Sequence, residues 1–425
     1  MSSASGIVRI IQQGASVAGT RLVLIVASFA SSVVVARALP IEERGRFGLL
    51  IAVGALAIQF GNFGLPVANT YLIARQPSLL TPLVANTTRS FLVVTAFIGV
   101  VGAAALRLVP AWTPLWGPAG IMVWFVAVTG LIQMIAQNLL IGRFQFSTSN
   151  LVDIVARMGA IVGMMLLWAW GAVTASWFAF VASLFAALAA FWGLHRGKIT
   201  MAIRNPDLAL WRLQLRLGSR AYVACLASFV VSRLPLYLVG SHGGMAETAY
   251  FTQALVIADT MLVVPNALGT VLFPNMAAAR DARERIRATL RVAAITAGLM
   301  AIGVVAAMIL GPIVLPFVYG RAYSASMPVL LAMLTGVAAL GVCSVMQNAL
   351  SANGYPWASV ASPVAGVAAV AVGLSVSSTA IGCGWAYSLG GVVMLLTSSI
   401  AWWLHRNDWA EIQAVTSEAA PTQNP

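Results

Sequence analysis

Apolar runs of about 20 residues or more recur from one end of this chain to the other, separated by short polar or turn-forming breaks. A segment of that length crosses the hydrocarbon of a bilayer only as a helix, because only a helix pairs its own backbone groups where water is absent. The breaks predict helices at 16–36, 47–72, 90–109, 119–141, 150–170, 173–194, 218–240, 249–273, 292–318, 326–350, 357–377 and 380–404. Only 8% of the residues are charged and 60% are hydrophobic, whereas a soluble domain carries about 25% charge. The expected class is an all-α polytopic membrane protein with about twelve transmembrane helices.

The helices fall into two groups of six. The expected organisation is an N-terminal six-helix lobe at 1–194, a cytoplasmic linker at 195–217, a C-terminal six-helix lobe at 218–404 and a flexible tail at 405–425. The start, "MSSASGIVRIIQQG", lacks an apolar run ending in a small-residue cleavage site, so the first span is expected to be retained. Basic residues orient the chain, since cytoplasmic connections are rich in Lys and Arg. With both termini cytoplasmic, the outer connections hold only Arg37, Arg44, Arg46, Arg107 and Arg321, and the spans hold Arg21, Arg157 and Arg233. The rest of the 24 basic residues lie on inner segments. The net charge of +13 therefore points to anionic lipid headgroups and topology, not to nucleic acid.

An internal echo supports duplication. "QNLLIGRFQF" begins at Gln137 and "QNALSANGYP" at Gln347, 210 positions later, each near the inner end of the fourth helix of its half. Asn62 and Asn266 form a looser echo, 204 apart, in the second helices, and Pro66 and Pro265 are expected to kink those same helices. Because six is even, the halves are parallel repeats related by a pseudo-two-fold along the membrane normal. Gln137, Asn138, Gln347 and Asn348 are read as inner-gate or helix-packing amides, since such groups bond across membrane helices.

Ionisable residues inside spans are the next signal, because charge near the bilayer centre costs at least about 2.5–3.5 kcal/mol. Arg233 and Asp259, in neighbouring spans, are expected to form an intramembrane ion pair and to couple binding to movement. Asp153 and Arg157 share one helix face at i,i+4, acid first, and are expected to pair. Arg21 in the first span, with Asn62, Asn69, Arg233, Gln253 and Asn266, is a candidate lining of a substrate cavity.

Other chemistry finds no support. Lys198 in "GLHRGKI" has Trp192 where a phosphate loop needs glycine, and Ile199 follows the lysine. His195, His242 and His405 lie apart, and Cys225, Cys343 and Cys383 have neither metal nor disulfide spacing. No Gly-x-Ser-x-Gly elbow accompanies a base. No enzyme activity, metal or cofactor is expected.

Four stretches carry a resemblance: "VARALPIEERGRFGLL", "FGLPVANTYLIAR", "VPNALGTVLFPNMA" and "VYGRAYSASMPVL". Across roughly residues 10 to 405 the chain resembles the bacterial polysaccharide transporters of the multidrug, oligosaccharidyl-lipid and polysaccharide (MOP) exporter superfamily. The resemblance implies a MATE-like fold in the bacterial inner membrane and a flippase for undecaprenyl-diphosphate-linked oligosaccharide in O-antigen or exopolysaccharide assembly. It implies polysaccharide polymerase and other assembly proteins as partners, and basic residues of the first helix facing the cavity. A monomer is expected, since one chain supplies both halves. Two alternatives stand beside it: an ion-coupled multidrug exporter of the same superfamily, and a membrane polysaccharide polymerase or ligase. The span charge is net positive, which favours an anionic substrate, and the outer connections are too short for a polymerase loop.

Overall fold

The computed structural model describes residues 23–108, 115–201, 207–266, 268, 282–351 and 357–405. Among these the chain is helical, with no strand. In order the helices are α1 (Val23–Ala38), α2 (Ile41–Gly61), α3 (Leu65–Arg75), α4 (Leu80–Leu108), α5 (Pro118–Gly142), α6 (Phe146–Ala169) and α7 (Ala175–Arg196). Then come α8 (Leu208–His242), α9 (Gly244–Met261), α10 (Ala282–Val314), α11 (Ser326–Ser351), α12 (Trp357–Val376) and α13 (Ala380–His405). Ten helices of the described residues are long and apolar enough to span, α2 with α3 makes a broken eleventh, and α1 is a shorter apolar helix. Large side chains such as Ile295, Ile302, Ile309 and Phe317 stand exposed on and just beyond α10. An apolar face of that extent needs hydrocarbon around it. The protein is a multi-pass membrane protein.

Helix ends follow the local sequence. Thr174 caps α7 by accepting from the Trp177 amide, and Asp207 caps α8 by accepting from the Leu210 amide at 3.0 Å. Two expected boundaries move outward: α8 starts at Leu208, inside the polar interval 195–217, and α2 starts at Ile41, inside the expected outer loop.

The expected single helix at 47–72 is two helices bent by 52°. The break lies at Asn62–Phe63–Gly64, not at Pro66, which sits in the first turn of α3 where its missing N–H is harmless. Asn62 Oδ1 accepts from the Gly64 amide at 2.8 Å, and Phe63 and Gly64 have φ of 47° and 72°. A β-carbon on Gly64 would lie 2.4 Å from the Gly218 carbonyl oxygen, so α3 begins in backbone contact with α8.

The chain forms two compact units. The first comprises Met1–Tyr222, Leu236–Gln253 and Leu315–Ser324. In it α5 packs on α2, α3, α6 and α7, over a core that includes Leu72, Ile73, Leu83, Leu139, Leu140 and Val152. The second comprises Val223–Pro235, Ala254–Val314 and Ala325–Pro425. There α13 packs on α11 and α12 around Val231, Cys343, Val370 and Met394. The Ser388 hydroxyl accepts from the Gly336 amide at 3.0 Å and donates to the Ala332 carbonyl at 2.6 Å, locking α13 against α11. Small residues let these helices approach closely enough for polar groups to reach a backbone, which is what associates helices in lipid.

Candidate functional site

In the second unit, Arg233 of α8 donates through Nη2 to Asp259 Oδ2 of α9 at 2.8 Å. Pro235 lies two residues on in α8 and removes a backbone donor, loosening the helix beside the pair. The side chains are 26% and 41% exposed. The Tyr387 hydroxyl, buried with no hydrogen-bond partner among the described residues, lies in the electrostatic field of the pair.

Asp153 and Arg157 do not pair. Asp153 Oδ1 accepts from Gln137 Nε2 at 2.6 Å and from Gln133 Nε2 at 3.2 Å, while Arg157 Nη1 donates to Ser28 Oγ of α1 at 2.8 Å. The i,i+4 spacing offers an ion pair, but two amides on α5 satisfy the acid from the neighbouring helix instead. The repeated Gln-Asn word does the same local job twice. Asn138 donates back to the Met134 carbonyl at 2.9 Å and Asn348 to the Ser344 carbonyl at 2.8 Å. The preceding glutamine bridges to another helix each time, Gln137 to Asp153 and Gln347 to Ser398 Oγ at 2.9 Å.

The remaining candidates divide. Asn69 is fully buried, donating to Thr87 Oγ1 at 2.9 Å and accepting from Gln214 Nε2 at 2.6 Å. It ties α3 to α4 and α8. Asn62 closes the break, donating to the Gln59 carbonyl at 3.0 Å. Asn266 is exposed just beyond α9. Arg21 lies outside the described residues.

Gln253 is also fully buried, and its environment holds the residue that sequence reading placed wrongly. Arg44, expected on an outer loop, lies in the first turns of α2 and is only 3% exposed. Its Nη2 reaches Gln253 Oε1 at 3.4 Å, while Arg44 Nε has no hydrogen-bond partner among the described residues. No carboxylate of the described residues lies within ion-pair distance; Glu43 instead pairs with Arg46 and accepts from the Ala175 amide at 2.7 Å. Phe47 stacks under the guanidinium at 5.9 Å, and Tyr319 and Tyr323 face it. Tyr319 in turn meets Ser32 at 3.1 Å, and Arg37 Nε donates to the Val318 carbonyl at 2.7 Å. A buried guanidinium with an unsatisfied N–H and no carboxylate of the described residues in range is an arrangement suited to an anionic oxygen. "LPIEERG" did carry the signal: Pro40 followed by two acids marks a helix start, which puts Arg44 in phase with Gly48, the residue packed on Thr252 of α9.

The first unit also contains a groove of about 1080 Å³ between α2, α4 and α5. Phe60, Phe97, Ile98, Val101 and Trp124 are among its walls, and among the described residues Arg107 is the one charged side chain lining it. No group of described residues has the composition of a metal site.

No protein-family model matches this sequence, and no curated protein matches it. Solved structures do match in fold. An inward-facing multidrug resistance MATE family transporter of the MOP superfamily aligns at a TM-score of 0.70 and 14% identity, over 92% of this chain and 96% of that one. The lipid II flippase MurJ, in an inward closed conformation, aligns at 0.71 and 13%, over 97% and 94%. An outward-facing MATE family transporter aligns at 0.63 and 13%, over 95% and 96%. The chain has the MATE-like fold that these proteins share.

Proposed function

We propose that this chain is a flippase that moves a polyprenyl-diphosphate-linked oligosaccharide from the inner to the outer leaflet of a bacterial inner membrane by alternating access. The observation that carries the reading is Arg44, a guanidinium buried in an apolar helix with no carboxylate of the described residues in ion-pair range. A buried cation without a counter-ion is costly, and a diphosphate supplies the missing charge in the bidentate geometry that Arg prefers. The fold shared with the lipid II flippase MurJ supports the same class of cargo. A cationic drug would want free acids, whereas Asp153 is held by two glutamines and Asp259 by Arg233. In this reading Arg233 and Asp259 form the coupling pair, opened when diphosphate competes for the arginine. The product feeds polysaccharide polymerase on the outer face for O-antigen or exopolysaccharide synthesis, and the chain acts as a monomer with both termini cytoplasmic.

Deleting the gene and assaying leaflet by leaflet for the sugar-bearing lipid tests this. The precursor is expected to accumulate in the inner leaflet and to return to the outer one on complementation. An unchanged distribution in the deletion strain, with surface polysaccharide intact, overturns it.

A further inference from the structure

Two of the four stretches that carry the sequence resemblance, "VARALPIEERGRFGLL" and "VYGRAYSASMPVL", meet in space. They meet at the segment Leu315–Ser324, which joins α10 to α11. Its first half, Leu315–Tyr319, is a π-helical turn, and Gly320 then takes φ of 112°, a conformation that residues with a β-carbon rarely adopt. The segment groups with the first unit, although α10 before it and α11 after it belong to the second. A segment seated by its own side chains, and not by the helices it joins, can leave its seat without unfolding either.

The seat is α1. Arg37 donates to the Val318 carbonyl at 2.7 Å and also to the Phe317 carbonyl. The Tyr319 hydroxyl meets Ser32 Oγ at 3.1 Å, and the Tyr323 hydroxyl donates to the Ala36 carbonyl at 3.4 Å. The two ends of this contact differ in exposure. Tyr319 and Tyr323 are 2% and 4% exposed, and they are the groups that face Arg44. Arg37 is exposed, so water competes for its two hydrogen bonds. The segment thus has a buried side that shuts solvent from Arg44 and an exposed fastening at Arg37.

A diphosphate has no way to a guanidinium covered in this manner. We propose that Leu315–Ser324 is a strap that closes the Arg44 anion site, with Arg37 as its latch, so that diphosphate enters or leaves only when Arg37 lets go. The strap deepens the flippase reading and rests on it for the identity of the anion. In that reading it lies at the outer end, where α1 passes into α2, and controls release.

The test is modification of arginines by phenylglyoxal in the purified full-length protein, followed residue by residue by peptide mass spectrometry. In wild type Arg44 is expected to react more slowly than exposed Arg75. Arg37→Gln is expected to speed modification of Arg44 at least about tenfold, the scale of two lost charge-assisted hydrogen bonds. Buried Arg285 is expected to stay slow in the same variant, which separates opening of the strap from general unfolding. Ser32→Ala, a milder loss of the Tyr319 contact, is expected to act in the same direction and carries the test should Arg37→Gln speed Arg285 too. An Arg44 rate that neither variant raises overturns the proposal. Inorganic pyrophosphate separates the strap from the reading it rests on, and it is expected to protect Arg44 in Arg37→Gln. If it gives no protection while Arg37→Gln still speeds Arg44, the strap stands and the anion reading of Arg44 falls. If Arg44 already reacts as fast as Arg75 in wild type and pyrophosphate protects it, the anion reading stands and the strap falls.

Discussion

At the scale of single residues, Arg44 and Arg233 illustrate opposite solutions to charge in an apolar helix. Arg233 has Asp259 at 2.8 Å, whereas among the described residues Arg44 has a long bond to Gln253 and an aromatic face. An uncompensated buried charge carries a desolvation penalty of several kcal/mol that an apolar side chain of similar volume does not. Arg44→Met is therefore expected to keep or raise the melting temperature of the purified protein while lowering transport at least about tenfold, the scale of a lost charge-assisted contact. A lowered melting temperature with unchanged transport would make Arg44 a structural residue. The adjacency of Arg233 and Asp259 was legible because two lone charges in neighbouring spans have few other ways to be satisfied. The partners of Asp153 were not, since Gln133 and Gln137 lie on another helix and the local i,i+4 pattern offered Arg157 instead. Arg44 was hidden by a boundary: placing the helix start six residues late put it on a loop.

At the scale of elements, the break between α2 and α3 is the clearest departure from expectation. A proline in an apolar run reads as the kink, but the turn is made by three residues before it, and glycine is needed there for two independent reasons. Gly64 has φ of 72°, and its α-carbon faces the Gly218 backbone. Gly64→Ala is expected to destabilise by at least about 1–2 kcal/mol from backbone conformation alone, with the backbone contact adding to it. Thermal unfolding in detergent checks this, and a change below about 0.5 kcal/mol would contradict the close approach. Asn62→Ala, which removes only the cap, is expected to cost less, about 1 kcal/mol. The Gln-Asn echo at 137 and 347 was legible as a repeat, whereas the partners were not: each glutamine reaches another helix, to Asp153 and to Ser398, and each asparagine bonds back within its own.

At the scale of the whole molecule, the fold was the most legible property. Apolar length and spacing are set by bilayer thickness, which acts on every segment alike, so twelve runs could be read without knowing any contact. The compact units were less so. They do not divide the chain at one point: Tyr222, Pro235 and Gln253 are each followed by a change of unit, within α8 and α9. A continuous apolar helix carries no composition signal for such a change, apart from Pro235 itself. Cargo is less legible still, since no local pattern in the sequence brings together the groups of a binding cavity; the proposal of an anionic lipid rests on Arg44, buried with no carboxylate of the described residues beside it.

The most direct measurement is reconstitution of the purified chain into liposomes carrying a sugar-bearing undecaprenyl diphosphate, followed by the rate at which the sugar reaches the opposite leaflet. Translocation by the wild type well above protein-free liposomes, falling at least about tenfold in Arg44→Met, is the predicted result. A rate equal to that of empty liposomes, or one unchanged by Arg44→Met, would contradict the account.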